Sequence, residues 1–349
     1  MRKPILLLGL LAIPYFAVAC DDTSTTTDTS SSSSASSSTS STSSTSSSSS
    51  SSGEGGAGGN GGNGGTGGSG GSNIKKNPLD GMGTVEKVQG NFMFTEGPQW
   101  ISSKGTLLFS DIPANRIYEY TAPSAFATFR DPSANSNGLA LDKKGLLHVC
   151  EHSGRRVSRT DANGMVTTVV DNYQGKKLNS PNDLIIRDDG NIYFTDPPYG
   201  LANPNMNELG FQGVFRVKPD GTLELIANDL DRPNGIALSP DQKTLYVDDT
   251  TTGDIRSYVL AADGTAGAMA KLVTTGGNPD GMAVDDQGNL FVSAMAGVEV
   301  YDSEGNLWGT ITVPEQPANC AFGDGDRKTL YITARTSLYR VKLTSTGMY

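Results

Sequence analysis

Cysteine is nearly absent from this chain of 349 residues, with three in all, and positive charge is in deficit: 27 Lys and Arg against 37 Asp and Glu, a formal net charge of −10. The first shortage argues against a disulfide-stapled scaffold. Cys150 and Cys320 fall in repeats two and six of the pattern described below, which are not neighbours around a ring, so two buried thiols and no disulfide are expected. The acidic balance disfavours nucleic acid and anionic membrane surfaces as partners and suits a cation site. No long helical period is present, and no G-x-S-x-G elbow, which disfavours a serine-triad hydrolase.

The apolar run near the start is short. Residues 1–20 place Arg2 and Lys3 before it and end in Ala17-Val18-Ala19-Cys20, the pattern of a secretory signal rather than of a spanning anchor. Cys20 directly after small residues resembles a bacterial lipobox, so this cysteine is expected to carry lipid and the chain to be exported and held on a membrane by that anchor alone. Residues 21–77 are Ser/Thr-rich and then Gly-rich, with no apolar surface to offset chain entropy, and read as a disordered tether. A flexible tract of roughly 50 residues spans about 40 Å.

Residues 78–349 carry a repeat. Six segments open with an acid or an amide: Glu96 (EGPQW), Asn137 (NGLALD), Asn182 (NDLIIR), Asn234 (NGIALS), Asp280 (DGMAVD) and Asn319 (NCAFGD), at spacings of 41, 45, 52, 46 and 39 residues. Each continues as a short apolar run, a polar turn with Asp, Gly or Lys, and a second apolar run. That period with strand pairs inside it predicts an all-β fold, a six-bladed β-propeller of four-stranded blades. Third strands are expected at Arg116–Tyr120, Gly213–Val217, Asp254–Tyr258, Gly297–Tyr301 and Ser337–Leu343. The last blade lacks a fourth strand of its own, and an N-terminal strand near Thr84–Gln89 is expected to complete it.

In such a fold the six openings meet at one mouth of a central channel, and the loops after each second strand return to the same face. Oxygen ligands without nearby His or Cys favour a hard cation, Ca²⁺ before Mg²⁺, with Mn²⁺ or Zn²⁺ as alternatives. Taken singly, an Asn-Gly or Asp-Gly pair is an ordinary turn signal; six in register point to a site. His152 is the candidate pH-relevant partner or substrate contact at the rim, and His148 reads as structural. Asp196 and Tyr199 are candidate contacts to sugar hydroxyls.

The runs FTEGPQW, SPNDLIIRDDGNIYFTDPPYG, RPNGIALSPD and NPDGMAVDDQGNLFVS together resemble the senescence marker protein/gluconolactonase/luciferin-regenerating enzyme family, and the SPND and VCEHSGRRVSR segments resemble its bacterial gluconolactonases. The resemblance covers about residues 80–345. It implies a six-bladed propeller with one catalytic divalent cation held at positions matching Glu96, Asn182, Asn234 and Asp280, with Asp280 also as general base. Asn137 and Asn319 fill the remaining slots as substrate or supporting contacts. The implied activity is opening of a small-molecule sugar lactone by a calcium-dependent lactonase, with no obligate protein partner. Other lactones, organophosphate esters, or a non-catalytic ligand-binding propeller are the competing readings. Ser180 departs from certain animal members, which place a basic residue two before the matching Asn.

Overall fold

The computed structural model describes residues 75–348. The expected signal peptide, Cys20 and nearly all of the expected tether lie outside the described residues. Six four-stranded antiparallel sheets hold almost all the regular structure; a two-residue hairpin (Asn172–Tyr173 with Lys176–Lys177) and one 3-10 turn (Pro204–Met206) are the additions, and no α-helix occurs among the described residues.

Each sheet is one blade. The first strands are Thr95–Ile101, Ser136–Leu141, Leu184–Ile186, Pro233–Leu238, Met282–Val284 and Asn319–Gly323. Each touches the first strands of the two adjacent blades, the last touching the first, so the six close a ring. Burial falls outward: the first two strands of a blade are almost wholly buried, whereas fourth strands such as Ala125–Arg130 and Ala266–Thr274 are largely exposed. The sixth sheet runs Glu86–Gln89, Ser337–Lys342, Thr329–Ala334, Asn319–Gly323, with Glu86 paired to Arg340.

The hairpins follow from a local rule. In the turns beginning at Asp142, Asp161, Asp285 and Asp302, the Asp Oδ1 accepts the amides two and four residues on, for example from Lys144 and Leu146 at 2.9 Å each. The glycine three residues on adopts positive φ, 74° at Gly145. An Asp side chain that mimics the turn backbone and a glycine free of Cβ strain set these turns from sequence alone.

What holds the ring is packing between blades. Among the described residues six apolar clusters form, and each joins neighbours: Phe194 and Phe215 of blade three pack with Cys150 and Val157 of blade two, and Phe291 of blade five with Cys320 and Phe322 of blade six. Trp100 of blade one stacks on Tyr331 of blade six at 5.9 Å, sealing the join between the first and last blades. Both described cysteines are free and buried in these layers, as their separation around the ring requires.

The expected third strands form with ends shifted by at most two residues. Blade two also has one, Arg156–Thr160, which the apolar pattern does not announce because two of its five residues are arginines. Arg156 instead pairs with the buried Glu151, which also takes Arg130 and Ser158.

Candidate active site

The six openings lie where the inner strands begin, and each sits opposite the last or second-last residue of its blade's second strand. Glu96 pairs with Ser110 and Asn319 with Thr333, while the amides of Asn182 and Asp280 reach the carbonyls of Thr195 and Ser293 at 2.9 and 2.8 Å. Side chains from these facing positions tie blade one to blade two and blade three to blade four: Ser110 Oγ donates to the Asn137 carbonyl (2.8 Å) and Thr195 Oγ1 to the Asn234 carbonyl (2.7 Å).

The glycines after the openings are not turn residues. A Cβ on Gly97 would stand 2.0 Å from the Asn137 carbonyl oxygen, and one on Gly281 would stand 1.8 Å from Asn319 Cγ. Glycine is needed there because neighbouring inner strands approach that closely. Blade six has Cys320 in this slot, and blade three has Asp183. Its Oδ1 caps Leu184 (2.9 Å) and its Oδ2 accepts from Asn319 Nδ2 (3.3 Å).

Five of the six opening residues are buried, and Asp280 alone keeps partial exposure. It lies in a well, crowded on its sides and open above. Its carboxyl is pushed up to about 7 by burial and by the charge of Asp183, against hydrogen bonds from Asn234 and Glu96 and the charge of Arg335. Glu96 is pushed well up by burial and then by Asp280, and Asp248 likewise. Burial also lifts Asp183, to about 6. No lysine or arginine among the described residues forms an ion pair with any of these four carboxylates.

The donor set fits a divalent cation. Buried carboxylates without a counter-charge are costly, and a bound cation would relieve them. Asn137 Oδ1 and Asp248 Oδ2 are buried with no hydrogen-bond donor, and the Asn182 carboxamide makes no hydrogen bond to a described residue. Asn234 is held in place by Nδ2 on Thr250 Oγ1 (3.0 Å), which in turn donates to the Pro279 carbonyl beside Asp280 (2.8 Å). No three His, Cys, Asp or Glu side chains among the described residues converge as a ready-made site, so amide oxygens and water would complete the shell, as hard cations accept.

The remaining candidates separate. His152 is buried beneath Gly200, where a Cβ would come within 2.5 Å of the His152 Cβ, and its Nε2 lies 3.3 Å from Asn137 Nδ2. Burial holds its pKa down to about 4, so the ring is neutral and acts on Asn137 rather than as a titrating partner. Tyr199 is 40% exposed through its ring, while its hydroxyl end faces Thr250, Asp280 and Asp248.

Asp196 does not reach the well. It is fully buried, and its Oδ2 accepts the Asn179 amide at 2.7 Å, as Asp111 takes Met93 and Phe94 and Asp249 takes Asp231 and Arg232. These acids brace the entry to blades one, three and four. Ser180 is also committed, donating to the Pro197 carbonyl and accepting the Gly200 amide.

Asp183 and Asp248 are absent from the sequence-derived set. The signal for Asp183 was its place in the glycine slot. For Asp248 it was the Asp248-Asp249 doublet, because adjacent strand residues face opposite ways and only one can be the brace.

Two larger depressions, of about 490 and 530 Å³, lie on the opposite face around Asp285–Gln287 and Asp142–Lys144 and contain no opening residue. Beneath Asp183 and Asn319 the inner strands enclose a cavity of about 60 Å³. The chemistry-bearing side chains are at the mouth above it.

Comparison with known proteins agrees with this geometry. The SMP-30/Gluconolactonase/LRE-like region matches residues 94–336. A gluconolactonase of Zymomonas mobilis is 37% identical over 299 residues, covering 77% of this chain and 84% of that protein. A pentonolactonase of Haloferax volcanii is 27% identical over 68% of this chain and 80% of its own length. The structure of a gluconolactonase of Xanthomonas campestris superposes with a TM-score of 0.70 at 38% identity, over 74% of this chain and 89% of that one. The chain therefore belongs to the SMP-30/gluconolactonase/LRE-like family and is a lactonase-family hydrolase.

Proposed function

We propose that this chain opens sugar lactones with the help of a divalent cation, calcium in the first instance, held by Glu96, Asn182, Asn234 and Asp280. The observation that carries the reading is Asp280, the one partly exposed residue of the ring, set among buried carboxylates that have no counter-charge. Bound there, the cation supplies Lewis acidity toward the lactone carbonyl and toward water.

The protein's own groups do the rest. Asp280 takes the proton of the attacking water as its oxygen bonds to the carbonyl carbon. The ring C–O bond then breaks, and Asp280 returns the proton to the departing ring oxygen, which becomes the hydroxyl of a hydroxy acid. Asn234, pinned by Thr250, orients Asp280 through their hydrogen bond. Neutral His152 fixes the Asn137 carboxamide so that its free Oδ1 can accept from a substrate hydroxyl, and Asn319 and the Tyr199 hydroxyl border the same well.

Turnover of a lactone panel, with EDTA and with calcium restored, tests the reading. Hydrolysis that EDTA abolishes and calcium returns is expected. Turnover of phosphoesters alone would move the substrate class, and no turnover by metal-replete protein would end the enzyme reading. The same proposal places the domain outside the cytoplasm on lipid at Cys20. Fatty-acid labelling that persists in Cys20→Ser would refute that anchor.

A further inference from the structure

The well is acidic within and cationic at its edge. Among the described residues, Arg232 and Arg335 are arginines without a carboxylate partner, and both stand on the face of the mouth. Arg232 directly precedes the inner strand of blade four, Pro233–Leu238, and Arg335 sits in the two-residue turn between Thr329–Ala334 and Ser337–Lys342 of blade six. Asp280 belongs to blade five, between them.

Each guanidinium is laid over an aromatic ring: Arg232 over Tyr199 and Arg335 over Phe94, both at 5.7 Å from the ring centre. A planar cation on an aromatic face keeps its charge and most of its donors while losing freedom, so it is preorganised. Arg232 makes no side-chain hydrogen bond to a described residue, and Arg335 donates one, from Nη2 to the neutral Gln316 Oε1 at 2.5 Å.

Both couple to the site. Asp280 senses Arg335, whose carbonyl accepts from the Thr95 amide at 2.7 Å, one residue before Glu96. Tyr199 senses both Arg232 and Asp280. Arg335 also adopts φ 47°, a conformation for which glycine or asparagine is the easier residue.

The wall of the mouth is uneven. After the second strand, blade three carries residues 197–212, which roof His152, whereas blade five has only Met295 and Ala296 before its third strand. Blade six has an equally short turn, Arg335-Thr336, so the blades that carry Asp280 and Arg335 form the low side of the mouth, and Arg232 of blade four borders it.

We propose that Arg232 and Arg335 select lactones bearing an anionic group remote from the ring carbonyl, a carboxylate or a phosphate. This rests on the lactonase reading. The lactone carbonyl sits over Asp280, and the far end of the substrate extends across the low side to the two guanidinium groups, whose forked donors match either anion.

The test uses matched pairs with the calcium-loaded protein: D-glucono-1,4-lactone against D-glucaro-1,4-lactone, and D-glucono-1,5-lactone against its 6-phosphate. The readout is the ratio of kcat/KM for the charged member to that for the neutral one, so the neutral lactone also reports folding. In Arg232→Gln/Arg335→Gln the ratio should fall about tenfold, the loss expected for one charge-assisted hydrogen bond, and Arg335→Lys should restore part of it in the Arg232-containing protein. Added salt should lower the wild-type ratio as well. A fall confined to one pair identifies the anion. Activity on neutral lactones with the same ratio in wild type and double variant overturns this inference alone. Wild-type inactivity on all four compounds overturns the lactonase reading and the subsite with it.

Discussion

Asp183 Oδ2 accepts a hydrogen bond from Asn319 Nδ2 at 3.3 Å, joining blade three to blade six across the channel. These blades face each other in a ring of six, so the pair forms the floor of the well. Asp183 stands where four of the other five repeats have glycine, and its charge bears on Glu96, Asp248 and Asp280. The floor is thus both a strut and a source of negative potential.

Asp183→Asn keeps an acceptor for Asn319 and removes that charge. Without metal, the variant should melt no lower than wild type, because like-charge repulsion among buried carboxylates falls. With calcium it should gain less than wild type gains, since cation affinity depends on the surrounding charge. Thermal melts with EDTA and over a calcium series measure both; an equal calcium shift in the two proteins would contradict this role.

Asp280→Asn and Glu96→Gln address the chemistry directly. Each should lower kcat/KM by about 10²–10⁴-fold, the range for loss of a positioned general base or its partner, while circular dichroism stays β-rich. Collapse of the fold in both would mean that the cation is structural.

His152 supplies a pH test. Its folded pKa of about 4 lies below the ordinary histidine value of 6.5, so its contribution to stability is complete above pH 6.5 and is lost as pH falls through 4. By linkage that loss is about 3 kcal/mol. Denaturant titrations from pH 7 to pH 4 should show a shallower decline in His152→Gln than in wild type. Parallel declines would show that the imidazole is not held neutral.

Gly97→Ala tests why the openings carry glycine. The new Cβ would meet the Asn137 carbonyl at 2.0 Å, and φ is +50°. A loss of about 3 kcal/mol or more is expected from the clash with backbone and the strain together. Gly145→Ala, with φ +74° and nothing within 4 Å, should cost only the strain, about 1 kcal/mol. Similar losses at the two sites in urea unfolding would refute the close-approach account.

The repeat was legible because a blade is a local object. Its strands are consecutive, its turns are set by Asp142- or Asp285-type caps, and its apolar runs alternate with them, so spacing alone exposes six units. The opening residues were legible for the same reason: they hold one place in each unit. Strand alternation separates Asp196 from the channel-facing residues. Asp196 aligns with Asp111 and Asp249, which face the blade entry, whereas Thr195 aligns with Asp248, which faces the channel. Asp183 was visible only as a departure from the pattern.

The six units, their turns and the ring of oxygen-bearing openings are readable from the chain because they follow from contacts within about 50 residues, and the excess of acid is readable from composition. Only the tertiary structure decided that His152 is roofed by Gly200 and neutral, that Asp183 reaches Asn319, and that Asp280 alone stays open between Arg232 and Arg335. Those facts depend on how blades far apart in the chain meet around one axis, and on a low dielectric that exists only once they have met.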